Sequence, residues 1–431
     1  TIVTTALPTI AEHFNSAQGY IWIGSAFLLA SAASTPVWGK VSDIWGRKPI
    51  LLVANFVFFV GSLICALAVN VGMLIAGRAV QGLGGGGLLV LVNICIGDLF
   101  SIRSRGAYYG MVGATWALAS SLGPVIGGAF TQRVSWRWCF YINLPLDGIA
   151  FVIILFFLHL DTPTTPFMDG LKAIDWLGSL TIVGGTLMLL FGLEFGGVTY
   201  PWASAAVICL IVFGVVTIAL FVIIEWKIAA LPVVPLALFK RRSNIAALTV
   251  CFIHGFVFIS GAYFLPLYFQ AVLGASPLLS GVYTLANVVP SSIASVGTGI
   301  FIKKTGQYRP PIWFGLTFMT LGWGLFINFG AEANWAKIIM YQVIAGVGVG
   351  PNFQAPLIAL QSLVQPRDIA TATATFAFIR NLATSISVVI GGVIFQNEMA
   401  SRAGTLRAAL GDQTAAQLGG GNAGANVAVV E

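Results

Sequence analysis

Stretches of about twenty apolar residues recur along the whole chain, separated only by short polar breaks. A helix needs roughly 20 such residues to cross ~30 Å of hydrocarbon. The pattern predicts spans near 20–38, 50–69, 71–97, 107–131, 140–160, 176–197 and 203–224. A second set follows near 246–272, 279–302, 311–329, 337–363 and 370–396. With a partial span at 1–9, that makes twelve full crossings and one cut one. Composition leaves no room for a soluble alternative, because only 8% of the 431 residues are charged and mean hydropathy is +0.93. A water-soluble surface uses about 25%. The chain is therefore read as an all-α polytopic membrane protein with the lipid bilayer as its main partner. Thr1 falls inside an apolar run and the chain closes on GGGNAGANVAVVE, so a longer parent protein is expected at both ends.

The net charge of +7 does not point to nucleic acid, since no basic face with interleaved aromatics accompanies it. The basic residues instead report topology. Lys40, Arg47, Lys48, Arg103, Arg105, Lys172, Lys227, Lys240, Arg241, Arg242, Lys303, Lys304, Arg309 and Arg367 lie in loops on one side. The other side has Arg133, Arg137, Lys337, Arg402 and Arg407. Fourteen against five puts the first set in the cytoplasm. Arg78 and Arg380 fall within spans. Cys65, Cys95, Cys139, Cys209 and Cys251 are dispersed, without CxxC or a His/Cys cluster, so neither a disulfide framework nor a metal site is indicated.

Gly46-Arg47-Lys48-Pro49 precedes one span, and Gly306-Gln307-Tyr308-Arg309-Pro310 precedes another 260 residues later. Related half-bundles are common in transporters. The expected division is 1–160 for an N-terminal bundle, 161–245 for two extra helices and a cytoplasmic loop, and 246–431 for a C-terminal bundle and tail.

The segment 39–48, GKVSDIWGRK, reads as a tight cytoplasmic loop with glycines at both ends and opposite charges on Asp43, Arg47 and Lys48. Asp98, at the cytoplasmic end of its span, is the natural partner of Arg47. A cluster of this kind either obeys topology alone or gates, pairing with a neighbouring helix in one conformation and releasing it in another.

In Gly39, Asp43, Gly46, Arg47 and Lys48 the segment resembles the loop GxLaDrxGRK of the major facilitator superfamily. Arg78-Ala79-Val80-Gln81-Gly82-Leu83-Gly84 is similar to the fourth-helix motif RxxQGxG. Gly110, Gly123-Pro124 and Gly127-Gly128 resemble the fifth-helix antiporter motif ending in GPxxGG. Trp136-Arg137-Trp138, Phe140, Ile142-Asn143 and Pro145 resemble WRWxFxINxP of the 14-helix drug:proton antiporter branch. Leu265-Pro266-Leu267-Tyr268-Phe269-Gln270 and Gly346-Val347-Gly348-Val349-Gly350 resemble its fungal members. Ala119 and Asp147 depart from the pattern, each replacing a usual glycine. The resemblance implies two six-helix bundles with two extra helices between them, the first helix truncated and the last missing. It also implies export of a small organic compound (drug, toxin or secondary metabolite) against entering protons, at the plasma or vacuolar membrane. A siderophore exporter or an importer on the same fold is the rival, and a non-transporting sensor a more distant one. Isolated His13, His159 and His254 give no enzyme constellation, and no GxxxxGK[ST] phosphate loop suggests ATP. No cofactor beyond the proton is expected.

Arg78 carries a buried charge whose insertion costs about 2.5–3.5 kcal/mol, so compensation is required. Gln81 lies on the same helix face at i+3. Arg78 is either structural or a cavity cation tuning a carboxylate for proton transfer; the resemblance favours the second, with Gln81 and Gly82 beside it. The carboxylate itself is not evident: Asp147 sits near an outer end, Glu194 in an extra helix and Glu225 at a helix end. Gly82, Gly84 and Gly87 match GxGxxG only literally, since no strand precedes them. Gly110, Ala119, Gly123 and Gly127 are expected on one face, packed closely, with Pro124 inviting a bend. Tyr263, Tyr268, Gln270, Gln342, Asn352, Gln354 and Arg380 are candidates for a midplane substrate cavity, suited to an amphipathic or weakly charged solute.

Overall fold

The computed structural model describes residues 2–3, 6–14, 17–160, 165–197, 200–229, 232–365 and 368–411. Within them the chain is helical, without named strands: α1 (Leu7–His13), α2 (Ala17–Trp45), α3 (Arg47–Ala66), α4 (Val71–Leu99), α5 (Ile102–Arg133), α6 (Trp138–Tyr141) and α7 (Asn143–Phe157) form a first group. Then come the short α8 (Phe167–Ala173) and the pair α9 (Trp176–Phe195) and α10 (Ala205–Lys227). The second group is α11 (Arg242–Ala271), α12 (Pro277–Thr305), α13 (Arg309–Leu325), α14 (Trp335–Asn352), α15 (Ala355–Gln361) and α16 (Ile369–Ser401), with α17 (Ala403–Leu410) after it. Ten spans are long and apolar enough to cross a membrane. The two other expected crossings are α2 and α5, of 29 and 32 residues. Polar caps start the spans where apolar runs begin: Asn70 accepts from Met73 N at 2.7 Å, Asp175 from Gly178 N at 2.9 Å and Asn334 from Lys337 N at 3.2 Å.

Two expectations need correction. Residues 39–45 are not loop but the last turns of α2, and Gly46 alone (φ 91°) reverses the chain into α3. The positive φ suits glycine, and it recurs at Gly306 (φ 72°) between α12 and α13. The expected span 337–363 is broken at Phe353–Gln354. Pro356, in the first turn of α15, lacks the amide that would bond the Asn352 carbonyl.

The repeat seen in one loop extends through the packing. In the first group α4 lies on α2 where Gly82 and Gly86 meet the backbone of Phe27 and Ser31. In the second, α14 lies on α12 where Gly346 and Gly350 meet Asn287 and Ser291. Gly84 abuts Phe58 N on α3, as its counterpart Gly348 abuts Met319 N on α13. The groups join crosswise by the same rule: Gly39 of α2 faces Ala374 of α16, and Gly299 of α12 faces Gly106 of α5. Thr35 accepts from Asn381 at 3.1 Å near the first crossing, and Ser295 lies against Gly113 near the second.

Glycine at a crossing admits no methyl without moving a backbone. Gly84→Ala and Gly348→Ala should each destabilise the purified protein by about 1–3 kcal/mol, read as a lowered thermal midpoint. Gly184→Ala in α9, where nothing lies within 4 Å of the new methyl, should not lower it.

Candidate functional site

Three helix ends converge at the cytoplasmic face. Asp43 in the last turn of α2 pairs with Arg47 across the Gly46 break (Oδ1–Nη1 2.6 Å), and Arg47 Nε reaches Asp98 of α4 at 2.8 Å. Arg47 Nη1 also donates to Ser42 Oγ at 2.9 Å. Lys48 follows, half-buried. The side chains of Arg47 and Asp98 are 15% and 30% exposed, so water and salt screen the pair partly. Gly39, two turns earlier, puts α2 against α16, and Gly97, beside Asp98, faces Ile369 and Gln361. The cluster therefore sits where α2 and α4 touch the second group.

A second set of contacts at this face involves residues that charge counting treats only as topology markers. Arg103 donates from Nε and Nη2 to the carbonyls of Lys303 and Lys304 at 2.8 and 2.9 Å, tying α5 to the end of α12. Arg105 is 5% exposed and donates to Phe100 O (2.8 Å), Gly97 O and Gln361 Oε1 (3.2 Å). Gln361 in turn donates to Tyr109 Oη and Thr373 Oγ1, both at 2.9 Å. A buried network thus links α4, α5, α15 and α16 at this end. Gln361 lies 256 residues from Arg105 and 252 from Tyr109, too far for any local motif to reveal the network.

Toward the outer side, Arg78 of α4 donates from Nε to Ile23 O at 2.9 Å and from Nη1 to Gln81 Oε1. Its guanidinium lies 4.5 Å from the Phe27 ring centroid. Gln81 passes the chain on to Ser62 Oγ at 2.8 Å, which also accepts from Asn143 at 3.4 Å. Charge-assisted bonds contribute about 1.5–3 kcal/mol each and a desolvated cation–π contact roughly 2, enough to offset the insertion cost. No carboxylate touches Arg78 among the described residues. Gly82 sits on the Phe27 backbone, bringing α2 close enough for Ile23 to serve as acceptor.

The candidate carboxylates have other surroundings. Asp147 has a buried oxygen without a partner. Glu225 accepts from Val233 N at 3.0 Å. Glu194 accepts from Ser25 Oγ of α2 at 2.6 Å, so this extra helix touches the first group directly.

On α5 the expectation of a single glycine face fails. Nine residues make two and a half turns, so Gly110 lies opposite Ala119. The face toward α12 is Gly106, Gly110 and Gly113. Gly123 and Gly127 are buried elsewhere, Ala119 is exposed, and Gly128 has no neighbour within 4 Å of an added methyl. Helix α5 runs unbroken through Pro124, whose side chain lies outside the described residues, as does Arg367.

The cavity candidates separate into two levels. Tyr268 donates to Gly330 O at 2.8 Å and stacks on Phe329, and Gln270 donates to Ser280 Oγ at 3.3 Å, both toward the outer end. Gln342 is fully buried, its carbonyl accepting from Asn287 at 3.2 Å. Asn352, Gln354 and Arg380 gather at the α14–α15 break, where Arg380 Nη2 donates to Phe353 O at 2.8 Å and its guanidinium lies 4.9 Å from the Phe376 ring centroid. Arg380 thereby satisfies a carbonyl at the helix interruption. Tyr263 of α11, in the second group, brings its hydroxyl within 4.0 Å of a methyl built on Gly24 of α2.

Two repeated helix groups, a half-buried arginine within a span of each and an ion-paired face at the helix ends define a polytopic membrane protein of the transporter class. The chain belongs to the Major Facilitator Superfamily, whose sequence profile matches residues 1–388. It is 60% identical over 430 residues to the efflux pump dotC of Dothistroma septosporum, covering 100% of this chain and 74% of that protein. It is 55% identical to the MFS-type transporter ppz2 of Metarhizium majus, again covering 100% and 74%. Among solved structures it is similar in fold to the human organic anion transporter MFSD10 (TETRAN), with a TM-score of 0.60 at 16% identity over 99% of this chain and 89% of that one.

If the buried network holds the cytoplasmic side shut, Gln361→Leu should loosen it. Cys251, fully buried in the apolar cluster beneath Tyr109, should then react faster with a membrane-impermeant maleimide in inside-out vesicles. Unchanged labelling would remove the network from the gate.

Proposed function

We propose that this protein exports a small organic compound by alternating access, driven by protons entering in exchange. The observation that carries the coupling is Arg78: a permanent cation inside a membrane span, bonded to a carbonyl and an amide, with no carboxylate against it among the described residues. Such a cation favours ionisation of any carboxyl group that approaches it, so a change of helix packing becomes a change of proton affinity. Gln81, Ser62 and Asn143 extend the polar chain into α3 and α7. The names of the dotC relatives support export over import. A siderophore exporter on the same fold is the second reading.

The substrate is taken to sit at the α14–α15 break, where interrupted helices offer backbone polar groups to a ligand. Arg380 with Asn352 and Gln354 gives hydrogen bonding, and Phe353 and Phe376 give aromatic surface, which suits an amphipathic organic solute. The cytoplasmic cluster of Asp43, Arg47 and Asp98 serves as the gate that forms when the cytoplasmic side closes. The plasma membrane is the expected location, the vacuolar membrane the other.

Efflux from cells expressing the full-length protein, over a panel of drugs and metabolites with and without a protonophore, tests the assignment. Arg47→Ala should insert normally yet export at a small fraction of the wild-type rate. Arg78→Ala should separate export from the pH gradient; export that still follows the gradient makes that arginine structural.

A further inference from the structure

The repeat that relates the two groups leaves a cleft filled in one and open in the other. In the first group the cleft between α2 and α3 is filled by Trp38, whose indole lies against Gly87 and Ala54 and donates from Nε1 to Leu83 O at 3.0 Å. Its counterpart 260 residues later is Thr298. There a cleft of about 630 Å³ opens between α12 and α13, lined by Pro290, Ala294, Phe301, Pro311 and Phe314, with Val347 and Pro351 of α14 as its floor. A methyl built on Gly297, also in the lining, has nothing within 4 Å.

Length, depth and charge agree on an occupant. Pro290 and Phe301 are eleven residues apart, so the cleft runs ~16 Å along α12, about one leaflet of a ~30 Å hydrocarbon core. Pro290 lies near the middle of α12 and Phe301 at its cytoplasmic end. Just beyond that end stand Lys303, Lys304 and Arg309, all exposed. No carboxylate pairs with them among the described residues. We propose that the cleft holds an acyl chain of an anionic phospholipid from the cytoplasmic leaflet, with its headgroup on Lys303, Lys304 and Arg309. Because Arg103 of α5 grips the carbonyls of Lys303 and Lys304, the headgroup would rest on the joint that closes the cytoplasmic side.

The test reconstitutes full-length protein in equimolar phosphatidylserine and phosphatidylcholine, then counts retained lipid by native mass spectrometry. Wild type should retain phosphatidylserine preferentially. Lys303→Gln, Lys304→Gln and Arg309→Gln together should abolish the preference, at about fivefold per cation. Lys240→Gln with Arg242→Gln, also cytoplasmic, should leave it intact. Thr298→Trp should release the lipid by restoring the side chain that fills the other cleft. Gly297→Leu serves the same end if Thr298→Trp does not fold. A wild type without preference, equal losses in both charge variants, or unchanged retention in the filled cleft would each overturn the proposal.

Discussion

Inside a bilayer, helices gain no hydrophobic energy from leaving lipid for one another, so backbone proximity has to hold them together. Every major crossing in this protein follows from that constraint. Gly82, Gly84 and Gly86 let α4 lie between α2 and α3, and Gly346, Gly348 and Gly350 let α14 lie between α12 and α13. Close approach then makes the polar chemistry possible. Arg78 reaches the Ile23 carbonyl because Gly82, one turn on, has brought α2 against α4. The glycine run that literally matches a nucleotide fingerprint is this packing stripe.

The two groups keep the same frame and differ in what they mount on it. Arg78 of α4 corresponds to Gln342 of α14, which is fully buried and joined to α12 through its carbonyl. A charge in one group is thus a neutral amide in the other. The second group carries its half-buried cation instead on α16, where Arg380 meets the carbonyl at the α14–α15 interruption. The acidic Asp43 corresponds to Lys303. The reversed sign leaves the first group with an ion-paired cytoplasmic corner and the second with an uncompensated basic one.

Legibility from sequence followed the range of each interaction. Spans were readable because every residue in a run reports the same solvent, and the caps at Asn70, Asp175 and Asn334 act within three residues. Helix ends blurred where no solvent change marks them. Residues 39–45 looked like loop because they are polar and glycine-bearing, yet they extend α2 beyond the hydrocarbon. Two prolines flanking Phe353–Gln354 were the available signal for the broken span. The arginine pair Arg103 and Arg105 was hidden, since its partners Lys303, Lys304 and Gln361 lie some 200 residues or more away. Ser25 and Glu194, 169 residues apart, were hidden for the same reason.

The contacts within a group and those between groups obey one packing rule, and the joint between groups adds hydrogen bonds at one end. Within a group, glycine backbones interlock along whole helices. Between groups, α5 lies along α12 through Gly106, Gly110 and Gly113 and α2 meets α16 at Gly39, while Arg103, Arg105, Tyr109 and Gln361 add hydrogen bonds at the cytoplasmic end. Net contributions of about 0.5–1.5 kcal/mol per neutral bond, and 1.5–3 with a charge, make such a closure worth only several kcal/mol. Inverting a two-state population from 1:99 to 99:1 takes ~5.5 kcal/mol. On the proposed function, a bound organic molecule or a single protonation beside Arg78 operates on that scale. On the proposed function, the hydrogen-bonded end of the joint is weak enough for a bound ligand to open it.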